Sequence, residues 1–268
     1  MKILLPFIIV HFLYTIRISS CDTIEKNEIQ LFYASSFNKT INGIHVIIRQ
    51  FYILTESLSS DEISNVLIHH EVKNDLNWVN VPANLIFSKQ TELNTTVSLW
   101  KAEIKWMSLG SEYKYEDSFA IACKRNNISV WDNNKLHNYR LENDDGFFLG
   151  NEWNIKAHEI EGSCDIVNRI IKLKGNILVR NINFRKSIKV FYSIDNEHFE
   201  DPKPASYSVS QNNLGIEQWM FQFELEGIKK CPEEVPMYFV YEVAGEKYID
   251  NNLEDNYHIK LTITNNLL

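Results

Sequence analysis

The sequence predicts an all-β protein of two tandem β-sandwich modules, and three observations predict it. A word with the skeleton D-N-N-x-x-x-N-Y occurs at Asp132–Tyr139 and returns at Asp250–Tyr257, 118 positions later. One word at one spacing on two flanks of similar length implies two homologous units. Both flanks are made of short β-branched and aromatic runs bounded by turn residues, the pattern of stacked sheets. Helical periodicity is nearly absent; Ser59-Ser60-Asp61-Glu62 opens a turn at most.

Residues 1–20 read as a separate object. Lys2 precedes an apolar run from Ile3 to Tyr14, and small Ser19-Ser20 follow, the order of a secretory signal peptide. The run is shorter than the roughly 20 apolar residues a bilayer span needs. An uncleaved anchor is the alternative reading. Ile18-Ser19-Ser20-Cys21 also loosely fits a lipoprotein cut, which the N-glycosylation triplets at Asn38, Asn94 and Asn127 disfavour. Cys21, Cys123, Cys164 and Cys231 would survive such a cut, an even set compatible with two disulfides. Three pairings are open. Cys164 with Cys231 is favoured because both lie in the C-terminal half, outside the repeated strands.

After an irregular lead at 21–40, the first module runs from about Ile41 to Glu142. Its strands are expected at Ile44–Ile48, Val66–Val72, Val97–Ala102 and Ser118–Cys123. Residues 143–170, with Asp144-Asp145-Gly146, break the pattern and read as the inter-module segment. The second module spans 171–263 and repeats the order with Gly175–Arg180, Ile188–Ile194, Trp219–Leu225 and Met237–Val243.

Composition narrows function. The 268 residues are 44% hydrophobic and 23% charged, ordinary for a folded protein with room for two domains. A formal charge of -8 with no Lys/Arg cluster argues against nucleic acid and reads as solubility. Aromatics at 12% suit a β-rich core or exposed stacking platforms. No C-x-x-C or His/Cys spacing suggests a metal, and no cofactor is expected. In His69-His70-Glu71 the strand places His69 and Glu71 on one face and His70 on the other, so a metal cluster is not expected.

In the second module, Val179–Phe184, Ile188–Asn196, Tyr241–Asn252 and Asn256-Tyr257 together resemble carbohydrate-binding module family 21. That family includes the starch-binding domain of fungal glucoamylase and glycogen-targeting subunits of protein phosphatase 1. The resemblance covers nearly all of 172–262. The first module is a more diverged copy, clearest in Phe119–Ala122, Trp131–Asn134 and Asn138–Arg140. The resemblance implies immunoglobulin-like β-sandwiches that bind α-1,4-glucans and perform no chemistry.

The residues agree with that mechanism. The C–H face of a glucose ring can lie on an aromatic ring, and its hydroxyls both donate and accept, as amides do. Asp132, Asn133, Asn134, Asn138 and Tyr139, with Asp250, Asn251, Asn252, Asn256 and Tyr257, are therefore candidate contacts. The same residue types also build loops by bonding their own backbone. The family has Tyr-Trp before Asp-Asn-Asn; the first module has Val130-Trp131 and the second Tyr248-Ile249, so Trp131 or Tyr248 is the platform according to which position faces out. Trp78 and Phe199 are further stacking candidates, with burial in the core as their alternative.

Arg180–Phe184 fits a short phosphatase 1 docking pattern, but it falls on an expected core strand. Scattered Asp and Glu give no carboxylate pair for glycoside hydrolysis. The function expected is a secreted, non-enzymatic protein that binds starch or glycogen, with no stable membrane insertion once the signal is cleaved. The alternatives are a secreted protein-interaction sandwich with degenerate sugar sites, or an intracellular glycogen-targeting phosphatase 1 subunit if the N-terminus is not a signal.

Overall fold

The computed structural model describes residues 28–72, 77–109, 117–142, 146–211 and 215–264. The expected signal peptide and Cys21 lie outside the described residues. Every regular element described is a strand. The N-terminal half holds β1 (Ile29–Ile41), β2 (Ile44–Leu58), β3 (Ile63–Val72), β4 (Asn77–Pro82), β5 (Asn84–Gln90), β6 (Thr95–Leu109), β7 (Asp117–Arg125), β8 (Ile128–Asp132), β9 (Tyr139–Leu141) and β10 (Gly146–Leu149). The C-terminal half holds β11 (Ile155–Asp165), β12 (Ile170–Arg180), β13 (Lys186–Tyr192), β14 (Lys203–Pro204), β15 (Ser206–Gln211), β16 (Ile216–Leu225), β17 (Glu234–Val243), β18 (Glu246–Asp250) and β19 (Tyr257–Thr264).

Two sheets face each other in the N-terminal half, ordered β10-β1-β2-β6-β5 and β4-β3-β7-β8, with β9 on β7. Alternation selects the inner face. Along β2, Ile47, Arg49, Phe51 and Ile53 are buried in turn, as period-2 strands require. Phe51, Ile68, Phe119, Ile121 and Leu141 form the centre of this core. The inward Arg49 donates to Ser36 Oγ (3.3 Å) and Leu141 O (3.2 Å), so its buried guanidinium is not left unbonded.

The C-terminal half repeats the two layers but joins them. β15-β16-β12-β11 continues through β19, parallel to β11 at Gly162–Asp165 and antiparallel to β17 at Glu234–Met237, and on to β13 and β14. Its core is separate and is centred on Ile177, Val190, Phe221, Phe239 and Tyr241.

The strands reach beyond the expected bounds. The lead that reads as irregular contains most of β1, and the segment 143–170 contains β10, an edge strand of the first sheet, and β11, which lies between β12 and β19. Their apolar residues are interrupted by Ser, Asn, Lys and His, which masked the strand pattern. Arg180–Phe184 is also not a core strand: β12 ends at Arg180, β13 starts at Lys186, and Phe184 is 95% exposed in the loop between.

Cys164 and Cys231 form the expected disulfide, with Cα atoms 6.0 Å apart. Cys123 does not join a second one. It is a free thiol on the inner face of β7, pushed up to about 11 by burial.

The halves meet along β1, β10 and the start of β11. Leu149, Leu178 and Ile216 form a small cluster under Tyr33, Phe147 and Phe148. Gly150 is essential to this approach, because a Cβ there would lie 1.7 Å from the Leu31 carbonyl oxygen. Lys156 is buried at the junction, its ammonium 4.8 Å from the Phe32 ring and 4.7 Å from the Tyr257 ring, and bonded to the Tyr257 hydroxyl. Burial lowers its pKa, and Asp250 at 3.9 Å opposes that shift.

Candidate functional site

The repeated word folds into the same loop twice. In the first copy the Asp132 carboxylate accepts from the Leu31 N–H (3.0 Å), the Asn134 N–H (3.2 Å) and the Tyr139 hydroxyl (2.8 Å). In the second, Asp250 accepts from the Ala157 N–H (2.6 Å), the Asn252 N–H (3.3 Å) and the Tyr257 hydroxyl (2.6 Å). Each carboxylate therefore ties its loop to the first strand of its own half.

The backbone between is left-handed at Asn134, Lys135, Leu136 and Asn138, and again at Asn252, Leu253, Glu254 and Asn256. Such conformations cost non-glycine residues about 1 kcal/mol or more each, and Asn tolerates them best. Side-chain bonds hold the shape. Asn133 and Asn251 accept from the N–H groups of Leu136 and Glu254, both at 3.0 Å. Asn134 and Asn252 donate to the carbonyls of Asn138 (2.9 Å) and Asn256 (3.0 Å).

Loop construction thus engages Asp132, Asp250, Asn134 and Asn252, while Tyr139 and Tyr257 act as pillars. Tyr139 is buried and its pKa is raised, first by burial and then by Asp132; Tyr257 is raised likewise, by burial first. Neither ring is a stacking surface. Among the described residues, the amides of Asn138 and Asn256 and the NH2 groups of Asn133 and Asn251 have no hydrogen-bond partner, so these can meet a ligand.

Beside the first loop, the outer face of β4-β3-β7-β8 carries an aromatic platform. Cross-strand pairing sets Glu71 opposite Trp78, His69 opposite Asn80 and Ala120, and Ala122 opposite Trp131. His69 stacks on Trp78 at 4.8 Å and meets Trp131 edge-on at 5.5 Å. Asn80 Oδ1 lies 2.7 Å from His69 Nδ1 and fixes that ring. Trp131 is 50% exposed and Trp78 39%, over a floor of small Ala120 and Ala122. His70 points inward toward Trp106, so the two histidines are parted as the strand period requires. A polar cleft of about 150 Å³ borders Trp131, lined by Asn133, Asn134, Tyr139, Asn151 and Glu152 among others.

The second half differs in chemistry. Tyr248 points inward, 5.9 Å from the core ring of Tyr241, whereas Ile249 occupies the outward position held by Trp131. The outward aromatics there are Phe191 and Tyr238, paired across β13 and β17 and stacked at 4.6 Å and 4°, with Phe199 edge-on to Tyr238 at 4.8 Å. Phe199 and Trp78 are both exposed rather than core. Sequence reading missed His69, Phe191 and Tyr238 as platform residues. The signal was present in part: Phe191 and Tyr238 are directly paired across β13 and β17, whereas His69 pairs with Asn80 and Ala120 and meets Trp78 and Trp131 only diagonally.

Among the described residues, Asp195, Glu197 and His198 form a group that could hold a metal ion. Asp195 Oδ1 there accepts the N–H groups of His198 and Glu197, both at 2.9 Å, which closes the turn and lowers the pKa of its carboxyl. The cluster is loop chemistry.

The outward aromatics beside an Asn-rich loop are the feature to set against known proteins. Residues 160–260 match the model of the carbohydrate/starch-binding module, family 21. The family 21 match takes in Phe191, Phe199, Tyr238 and the second loop; Trp78 and Trp131 lie outside it. Among curated proteins, the chain is similar to the serine/threonine-protein phosphatase 1 regulatory subunit GAC1 of Saccharomyces cerevisiae. They are 23% identical over 128 residues, 42% of this chain and 16% of that protein's length. Among solved structures, it is similar to the starch binding domain of Rhizopus oryzae glucoamylase, seen with beta-cyclodextrin and maltoheptaose, at 25% identity and a TM-score of 0.32, covering 40% of this chain and 92% of that one. It is also similar to the carbohydrate binding module of the muscle glycogen-targeting subunit of protein phosphatase-1, at 24% identity and a TM-score of 0.32, covering 40% of this chain and 75% of that one.

Proposed function

We propose that the chain is a non-catalytic, secreted protein of two tandem immunoglobulin-like modules that binds α-1,4-glucan, starch or glycogen, on the outer aromatic platform of each module. One observation carries the reading: each half exposes a stacked aromatic group on the sheet that bears the repeated loop. Stacking of glucose C–H faces on Trp78, Trp131, Phe191 and Tyr238 supplies contact area, and the side-chain amides of Asn138 and Asn256 with the NH2 groups of Asn133 and Asn251 supply hydroxyl partners. The family 21 match of the second half supports the ligand class. Two weak sites on one chain engage one polymer with gain in avidity. The exposed Asn94 and Asn127 are the open sequons; Asn38 is half-buried in β1.

Sedimentation with insoluble starch or glycogen, with cellulose as control, tests this. Retention on the α-glucans alone is expected, and chain left in the supernatant with both would end the reading.

A second reading, an intracellular glycogen-targeting regulatory subunit, is favoured by the likeness to the yeast phosphatase 1 subunit and by the exposed Ile182 and Phe184 loop. The mature N-terminus decides between them. Secretion predicts loss of residues 1–20; a cytosolic chain that begins at Met1 supports the second.

A further inference from the structure

Resting on the glucan reading of the N-terminal platform, we infer that Glu152, from the segment joining the two halves, is a specificity-determining residue of that site, accepting hydrogen bonds from a pair of neighbouring sugar hydroxyls. The cleft beside Trp131 draws part of its lining from outside the N-terminal sheets: Asn151 and Glu152 line it together with Asn133 and Tyr139. This part is held firmly. The Gly150 N–H donates to the Phe32 carbonyl (2.9 Å), and the Gly150 carbonyl accepts from Arg180 Nη2 (2.8 Å) and the Trp153 N–H (3.0 Å). Asn151 Nδ2 donates to Asn134 Oδ1, joining this part of the lining to the loop. The segment is therefore pinned to both halves within two residues of Glu152.

Charge accounting in the cleft singles out Glu152. The other carboxylate, Asp132, already accepts from Leu31, Asn134 and Tyr139. The Asn133 NH2 and the Lys135 ammonium offer donors only. Glu152 has no hydrogen bond or ion pair among the described residues and is exposed. Its charge nevertheless reaches the Tyr139 hydroxyl, adding to the raising effects of burial and Asp132 there, and the Arg180 guanidinium, where it opposes the lowering effect of burial. A free carboxylate beside an exposed indole suits a ring lying on Trp131: its two oxygens accept from adjacent equatorial hydroxyls in charge-assisted bonds. A flat aromatic platform alone would not distinguish sugars by their hydroxyls.

The test uses the full chain and methyl α-maltoside with its 2-deoxy and 3-deoxy analogues, titrated against the wild type, E152Q, E152A and W131A. Expected is a loss of about tenfold or more for E152Q with the parent maltoside, the scale of hydrogen bonds to a charged group. One deoxy analogue should bind the wild type about tenfold more weakly yet bind E152Q as well as the parent does. If W131A loses binding while E152Q and E152A treat all three sugars as the wild type does, the role of Glu152 is overturned and the glucan reading stands. If the wild type binds neither methyl α-maltoside nor maltoheptaose, both fall together.

Discussion

Trp131 and Ile249 hold the same outward position beside the same loop, so a single side chain separates the two platforms at that point. An indole there offers a broad face to a sugar ring, whereas Ile249 offers a branched aliphatic edge. Trp131→Ala is expected to weaken glucan binding at the N-terminal site by about 1.5–3 kcal/mol, the value of a large apolar contact, as read by quenching titrations with maltoheptaose. Ile249→Trp should do the reverse and strengthen retention through the second half. Asp250 works at another level. It accepts from the Ala157 N–H and the Tyr257 hydroxyl, and its charge faces Lys156. Asp250→Ala strands the Ala157 N–H and leaves the buried Lys156 ammonium without its counter-charge, and should cost about 3–5 kcal/mol of stability in denaturant unfolding. A loss under 1 kcal/mol would mean the loop does not depend on its carboxylate.

Among the elements, β11 carries the most consequence per residue, because its start both opens the second half and packs against Phe32, Tyr33 and Phe147 of the first. His158 sits there against the Phe147 ring at 4.1 Å, and both ring nitrogens lack a hydrogen-bond partner. Burial, and then the nearby Lys156 charge, lower its pKa to about 4, while Glu159 lies at 3.8 Å on the exposed side. The unfolded chain titrates His near 6.5 and so binds the proton first as pH falls. His158 therefore favours the folded state fully above about pH 6.5, and that contribution of roughly 3 kcal/mol is lost as pH falls toward 4. Thermal melts of the wild type should show that acid loss, and His158→Phe should flatten it. β11 was also among the elements least legible in the sequence. Lys156, His158 and Glu159 make it read as polar connector, because the aromatic cover over Lys156 comes from Phe32 and Tyr33, more than a hundred positions away in β1. By contrast β2, β7, β12 and β17 were legible from alternation alone. The same alternation placed His69 and His70 on opposite faces, but could not say which of Trp131 and Tyr248 faced out, since that depends on the sheet's packing partner.

For the whole molecule, the doubled word reported a duplicated loop more directly than a duplicated ligand site. Asp132, Asp250, Tyr139 and Tyr257 bind each loop to its own first strand, a role invisible without those strands in place. The junction follows similar logic: Gly150 could be read as an ordinary turn residue, yet its close approach to Leu31 is what brings the halves together. The Cys164–Cys231 disulfide closes a span of 67 residues in the C-terminal half. Its removal by Cys164→Ser should cost up to about 4 kcal/mol, whereas Cys123→Ala, which removes no cross-link, should cost about 1 kcal/mol. Reducing and non-reducing urea unfolding would compare the two.

If both halves present glucan-binding platforms on their outer aromatic faces, the intact chain carries two separable classes of glucan site. Calorimetric titration of the intact chain with maltoheptaose, with Trp131→Ala and Tyr238→Ala alongside, measures them most directly. Saturable binding is expected, from which each substitution removes its own class of sites and the pair removes both. Absence of binding by the wild type, or binding that survives the double substitution unchanged, would contradict this arrangement.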